Sequence, residues 1–275
     1  MTMSIQQILE KLKMSSNNKY GPIIKCSELS IGERSLIAAK LAQLAYLTID
    51  ASECQVKHLG FSSAKLLEKD GAECLIVRSR EDLWVAFRGT EPTKLNDVMA
   101  DLKIVKNTAV AGGRVHGGFQ EEVNDLWPQV LSELEQNSQL KAPKNVYMCG
   151  HSLGAAMATI AASRAEPKEL FTFGSPRVGG TNFIKNIKCK HYRFVNNNDI
   201  VTKVPPAALA FRHHGSLQYF NAYGQLRTLT GWQAVKDIFR GIWSSWKRGK
   251  FFDALTDHSM VNYVEYIETN SEDIK

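Results

Sequence analysis

Apolar positions along the chain follow two rhythms. Short apolar runs bounded by polar or small residues occur in "AECLIVRSR", "DLWVAFRG", "NVYMCG", "LFTFGS" and "HYRFVN". Runs of this length predict buried strands. The first two predict a strand pair joined by a polar turn near Glu81–Asp82. Between the runs lie stretches with helical character. "GERSLIAAKLAQLAYL", Gly32 to Leu47, reads as a helix, and "AAMATIAAS", Ala155 to Ser163, is rich in helix formers. A stripe of Phe119, Val123, Leu126, Val130 and Leu134 predicts a long helix. Pro128 inside it should kink or split it, because proline lacks an N–H and clashes with the preceding turn. "HHGSLQYF" and "GQLRTLT" predict a hairpin, with His213 and His214 opening its first strand. Helical stretches follow from about Trp232 and about His258. Strands alternating with helices predict an α/β fold, a mainly parallel sheet flanked by helices.

The N-terminal piece is polar, and its Ile5, Ile8, Leu9 and Leu12 suit a short amphipathic helix. Residues 1–29 are expected to be an extension and residues 30–275 a single domain. The chain has 275 residues, 44% of them hydrophobic and 23% charged, as in ordinary globular proteins. No charge-free stretch reaches the length a bilayer-spanning helix needs, and the N-terminus shows no apolar signal-peptide core. The five cysteines form no C-x-x-C pair, which predicts neither a zinc site nor a disulfide framework. These features predict a cytoplasmic protein, with peripheral membrane contact and signal-less export left open. The net charge of +6 is spread along the chain, and no nucleic-acid module accompanies it.

The most informative stretch is "NVYMCGHSLGAAMA", Asn145 to Ala158. A strand runs into G-x-S-x-G, and small residues and a helix follow. A strand that turns sharply into a helix holds the central serine, Ser152, in a strained conformation and lifts its hydroxyl clear of the backbone. Its neighbours must then be small. This is the pattern of a nucleophile elbow.

A serine hydroxyl is a weak nucleophile and needs a base oriented by a third group. On this fold the chain order is serine, acid, histidine. Asp199 immediately follows the strand "YRFVNNN", where the carboxyl ends of a parallel sheet gather. Glu166 and Glu169 lie at the wrong end of their strand. Of seven histidines, His58 and His116 precede Ser152, His151 lies inside the elbow, His191 begins a strand, and His213 and His214 open one. His258 lies beyond the last strand and fits the order. An oxyanion hole needs two N–H donors. Leu153, after the nucleophile, and Thr90, in "WVAFRGTEP", are the candidates.

Taken together, "AFRGT", "VHGGF", "GHSLGAAMA", "FTFGSPRVG", "NNNDIVTKVPP" and "DHSMVNY" resemble the class 3 lipase family in content and order, from about Trp84 to Tyr263. The resemblance implies an α/β-hydrolase fold and ester hydrolysis without metal or cofactor. It implies Ser152 as nucleophile, Asp199 as acid, His258 as base, and Thr90 and Leu153 as oxyanion donors. The chain departs from the family in one region. Asp97 is followed by Val98 rather than tryptophan, and "TKLNDVMADLKIVKNTAVAGG" is only modestly apolar and ends in a flexible "AGG". Both features argue against a conventional lid.

The segment 232–252 carries Trp232, Val235, Ile238, Phe239, Ile242, Trp243 and Trp246 within a helical arc of about 140°. Lys236, Arg240, Lys247, Arg248 and Lys250 flank that face. It reads either as a core helix or as an element that meets an anionic membrane or lipid-droplet surface. The expected activity is cleavage of lipid carboxylic esters, acylglycerols first. Phospholipase A1 or soluble carboxylesterase activity is the near alternative, and a non-catalytic lipid-surface binder the distant one.

Overall fold

The computed structural model describes residues 25–91, 95, 105–135, 143–228 and 257–275. The amphipathic reading of the N-terminal piece, the Asp97–Val98 pair and the 232–252 segment lie outside the described residues.

The chain enters the core at Cys26, which is fully buried against Trp84. Helices α1 (Ile31–Leu44) and α2 (Ile49–His58) lead to strands β1 (Ser63–Lys69), β2 (Ala72–Arg78) and β3 (Asp82–Phe87). A small hairpin of β4 (Lys106–Thr108) and β5 (Arg114–His116) precedes α3 (Gly117–Glu135). Then β6 (Asn145–His151), α4 (Leu153–Ala165), β7 (Glu169–Phe173), α5 (Thr181–Ile184) and β8 (Lys190–Asn196) alternate. Strands β9 (Ser216–Phe220) and β10 (Leu226–Arg227) and helix α6 (Met260–Thr269) complete the described elements.

The main sheet has eight strands in the order β1-β2-β3-β6-β7-β8-β9-β10. Strands β3, β6, β7, β8 and β9 are parallel, and antiparallel partners extend both edges. Alternation along each strand feeds two cores, as expected for a sheet covered on both faces. Trp84, Tyr147, Phe171, Phe173 and Phe194 face α1 and α6. Val85, Phe87, Met148 and Leu170 face α3 and α4. Trp84 stacks on Tyr147 at 4.6 Å between centroids, and burying each such side chain contributes about 1.5–3 kcal/mol. At the amino end of β7, Glu169 accepts two hydrogen bonds from Arg34 of α1, at 2.6 and 2.8 Å. Helices α1 and α6 lie side by side. A Cβ on Gly32 would stand 1.7 Å from Ser271 O, and Lys40 pairs with Glu268 at 3.6 Å.

Several local expectations change. Helix α3 runs through Pro128 as one element rather than splitting. Buried Phe119, Val123 and Leu126 before the proline and Val130 after it pack into one core, which holds both halves. Gly112 and Gly113, in the stretch expected to be flexible, form the β4–β5 turn at φ 86° and 80°. Strand β9 starts at Ser216, so His213 and His214 precede it rather than open it.

Candidate active site

The site forms at the carboxyl ends of β6, β7 and β8, where parallel strands deliver their loops. Strand β6 stops at His151 and α4 begins at Leu153, leaving Ser152 alone between them at φ 57°, ψ −127°. A non-glycine residue there is strained. What imposes it is close packing on every side. A Cβ on Gly150 would stand 2.3 Å from Gly154 O, and one on Gly154 would stand 2.2 Å from Phe87 O. Only glycine lets strand, helix and the end of β3 approach this closely. Ser152 N–H donates to Phe173 O at 3.0 Å, fixing the turn to β7.

Asp199 lies just past β8 and is fully buried. Its Oδ2 accepts from His258 Nδ1 at 2.8 Å and from the Tyr263 hydroxyl at 2.7 Å, and its Oδ1 accepts from Val201 N at 2.9 Å. Burial alone would raise its pKa. The charge and hydrogen bond of His258 and the bond from Tyr263 overcome that and hold the carboxyl below its ordinary value. Burial beside Asp199 pushes the Tyr263 phenol well up, so it stays protonated and donates.

Helix α6 carries Tyr263, and the turn before it carries His258. The end of β8 and the residue after it pin that turn: Asn196 Nδ2 donates to Asp257 O at 2.8 Å and Asn197 Nδ2 to Asp257 Oδ2 at 3.0 Å. His258 Nε2 and Ser152 Oγ are both buried without a hydrogen-bond partner among the described residues. The chain passes tightly against Asp199 and His258. Gly174, at φ 58°, would put a Cβ 2.7 Å from Asp199 Oδ2 and 2.8 Å from His258 Nδ1.

The oxyanion candidates flank the same elbow. Leu153 opens α4, where first-turn N–H groups have no acceptor within the helix. Thr90 follows Gly89, on which a Cβ would stand 2.5 Å from His151 O and 3.2 Å from Ser152 Cβ.

The competing groups are engaged elsewhere. His191 bonds Thr172 and His214, His213 bonds Thr202 O, and exposed His58 bonds Cys54 O. Sequence reasoning missed Tyr263, Asn196, Asp257, Gly174 and Tyr46. The G-S pair after "LFTF" was the one available signal, a glycine at a strand's carboxyl end beside the expected acid.

Residues 84–209 match the class 3 lipase family. The similarity to that family spans this stretch, a little under half of the chain. Similar proteins include the lipase of Rhizopus niveus, 33% identical over half of this chain and 38% of its own length. Another is the secreted mono- and diacylglycerol lipase 1 of Fusarium solani, 26% identical over 62% of this chain and 58% of its own. The chain thus spans well under two thirds of these relatives. Among solved structures, lipase II from Rhizopus niveus superposes with a TM-score of 0.56 at 22% identity, covering 73% of this chain and 83% of that one. That likeness bears on the fold.

The relatives correct the cytoplasmic expectation, since those of Fusarium solani and Malassezia globosa are secreted lipases. The free cysteines misled for a physical reason. Cys26, Cys74 and Cys149 are buried packing residues, and a thiol sealed in a core does not report its redox compartment. No described helix is long and apolar enough to cross a membrane.

One consequence can be measured. Tyr263→Phe removes a hydrogen bond to a charged acceptor, expected to cost about 1.5–3 kcal/mol of stability. Asp199, its pKa held down in the fold, contributes stability that is present above its unfolded pKa and lost as pH falls through the folded one. Without Tyr263 that folded pKa rises. The acid-side loss of both stability and turnover should begin at higher pH than in wild type, as pH-dependent melting and a pH–rate profile would show. Coincident acid limbs would contradict this role.

Proposed function

We propose that the chain is a serine hydrolase that cleaves carboxylic esters of lipids, acylglycerols foremost, through an acyl-enzyme. One observation carries this reading. The Asp199–His258 hydrogen bond leaves His258 Nε2 without a partner among the described residues, in a buried site that also holds the similarly unpartnered hydroxyl of a strained elbow serine. His258 takes the Ser152 proton as Oγ attacks the ester carbonyl, and Asp199 holds the imidazolium that forms. The N–H groups of Leu153 and Thr90 receive the oxyanion. His258 then gives its proton to the departing alcohol. Water, deprotonated by the same imidazole, splits the acyl–serine bond and restores the hydroxyl.

The family match and the lipase names of its relatives support lipid esters as the substrate class. The aromatic face and basic flanks of 232–252 support a contact with an anionic lipid surface through that segment; this rests on sequence alone.

The test pairs a fluorophosphonate probe with p-nitrophenyl esters of increasing chain length. One probe adduct, mapped to Ser152, with turnover favouring long acyl chains is expected. Turnover confined to short esters would reduce the assignment to a soluble carboxylesterase. An unlabelled, inactive protein would make it a non-catalytic surface binder.

A further inference from the structure

Buried beside the site is a chain of contacts with no part in the proton transfers above. Tyr46, just beyond α1, places its hydroxyl 2.9 Å from His151 Nδ1, and His151 Nε2 lies 2.8 Å from the main-chain oxygen of His258. The donors can be assigned. A carbonyl only accepts, so His151 must carry its proton on Nε2. Nδ1 is then an acceptor, and the Tyr46 hydroxyl donates to it. That hydroxyl also lies against Gly89, on which a Cβ would stand 2.4 Å from Tyr46 Oη.

We infer that Tyr46 and His151 are positioning residues: a strut that fixes the His258 loop against both the serine elbow and the oxyanion loop. The inference rests on the serine-hydrolase reading above. Ser152 is covalently next to His151, and His151 is one hydrogen bond from His258. Ser152 and the base are therefore held to each other by a single residue, independently of the Asp199 side. The rings of His151 and His258 are 4.5 Å apart, which adds a packing contact along the same line. The other end of the strut abuts Gly89, the neighbour of Thr90. Nucleophile, base and oxyanion loop thus share one rigid reference. His151 suits the task because it does not titrate in the working range. Burial first, then the charge of neighbouring His258, lowers its pKa to about 3, so it keeps one tautomer and does not compete as a base.

Misplacing a reacting group by about 1 Å can cost on the order of 10²-fold in rate. Tyr46→Phe and His151→Leu should therefore lower kcat about 10- to 100-fold on a short soluble p-nitrophenyl ester, with KM within about twofold of wild type. His151→Gln can reach the His258 carbonyl with its amide N–H and should recover part of the loss. The double variant Tyr46→Phe/His151→Leu should fall no further than His151→Leu, because the two act as one unit. Should His151→Leu fail to fold, Tyr46→Phe and His151→Gln carry the comparison. The second readout needs no turnover: imidazole ¹⁵N spectra at neutral pH should show His151 as the Nε2–H tautomer. Wild-type kcat in folded Tyr46→Phe, or an Nδ1–H tautomer for His151, would overturn the inference. A wild-type protein without Ser152-dependent hydrolysis would sink the hydrolase reading instead, and the spectra would still judge the strut.

Discussion

Ser152→Gly is expected to lose essentially all activity and yet melt at a higher temperature than wild type. Removing a triad serine costs about 10⁴–10⁶ in kcat and leaves what the oxyanion donors and binding provide. The stability gain comes from the backbone. Ser152 sits at φ 57°, ψ −127°, with its hydroxyl buried and unpaired among the described residues. Such a conformation costs of order 1–3 kcal/mol for a residue with a side chain. Glycine adopts it freely, against an unfolded-state penalty of about 0.5–1 kcal/mol. The balance favours the variant by up to about 2.5 kcal/mol. Ser152→Ala, equally inactive, keeps the Cβ and the strain, so it should melt below the glycine variant. Thermal unfolding of the three proteins, alongside ester hydrolysis, tests this. Equal melting of the glycine and alanine variants would mean the elbow stores no strain.

Gly174→Ala should do the opposite and damage both properties. Its φ of 58° disfavours any side chain, and the new methyl would press within 2.7 Å of Asp199 Oδ2 and of His258 Cε1. Neither neighbour can yield cheaply. Asp199 is held by Val201, Tyr263 and His258, and His258 is the base of the proposed mechanism. A stability loss of about 1–3 kcal/mol from backbone strain and a kcat loss on the order of 10²-fold or more from displacement are expected. KM for a short ester should change little, since the methyl presses on Asp199 and His258 rather than on Ser152. Wild-type kcat in a folded Gly174→Ala protein would show that the Asp199–His258 bond tolerates displacement.

The sequence made some of this legible and concealed the rest for identifiable reasons. Strands β2, β3, β6, β7 and β8 announced themselves because both sheet faces are covered, so each reads as a nearly unbroken apolar run. Strand β1 did not: "SAKLLEK" is an edge strand with a largely exposed face, and its lysines and glutamate masked the alternation. Helix α2 was silent because "IDASECQVKH" buries only Ser52, Gln55 and Val56. At the site, Ser152, Asp199 and His258 could be named from chain order and strand ends. Their supports could not. Tyr263 reaches Asp199 across 64 positions of sequence and Asn196 reaches Asp257 across 61. Nothing in local periodicity encodes either pairing.

The packing of α1 against α6 has a consequence for how the protein is made. Synthesis runs from the N-terminus at about 5–20 residues per second, and domains fold as their parts emerge. The apolar face of α1, with Tyr46 just beyond it, is therefore complete on the order of 10–40 s before α6 arrives to cover it. His258 emerges with α6. Until α6 has been made, a growing chain carries Ser152 without His258, and the face of α1 that α6 packs against stays uncovered by it.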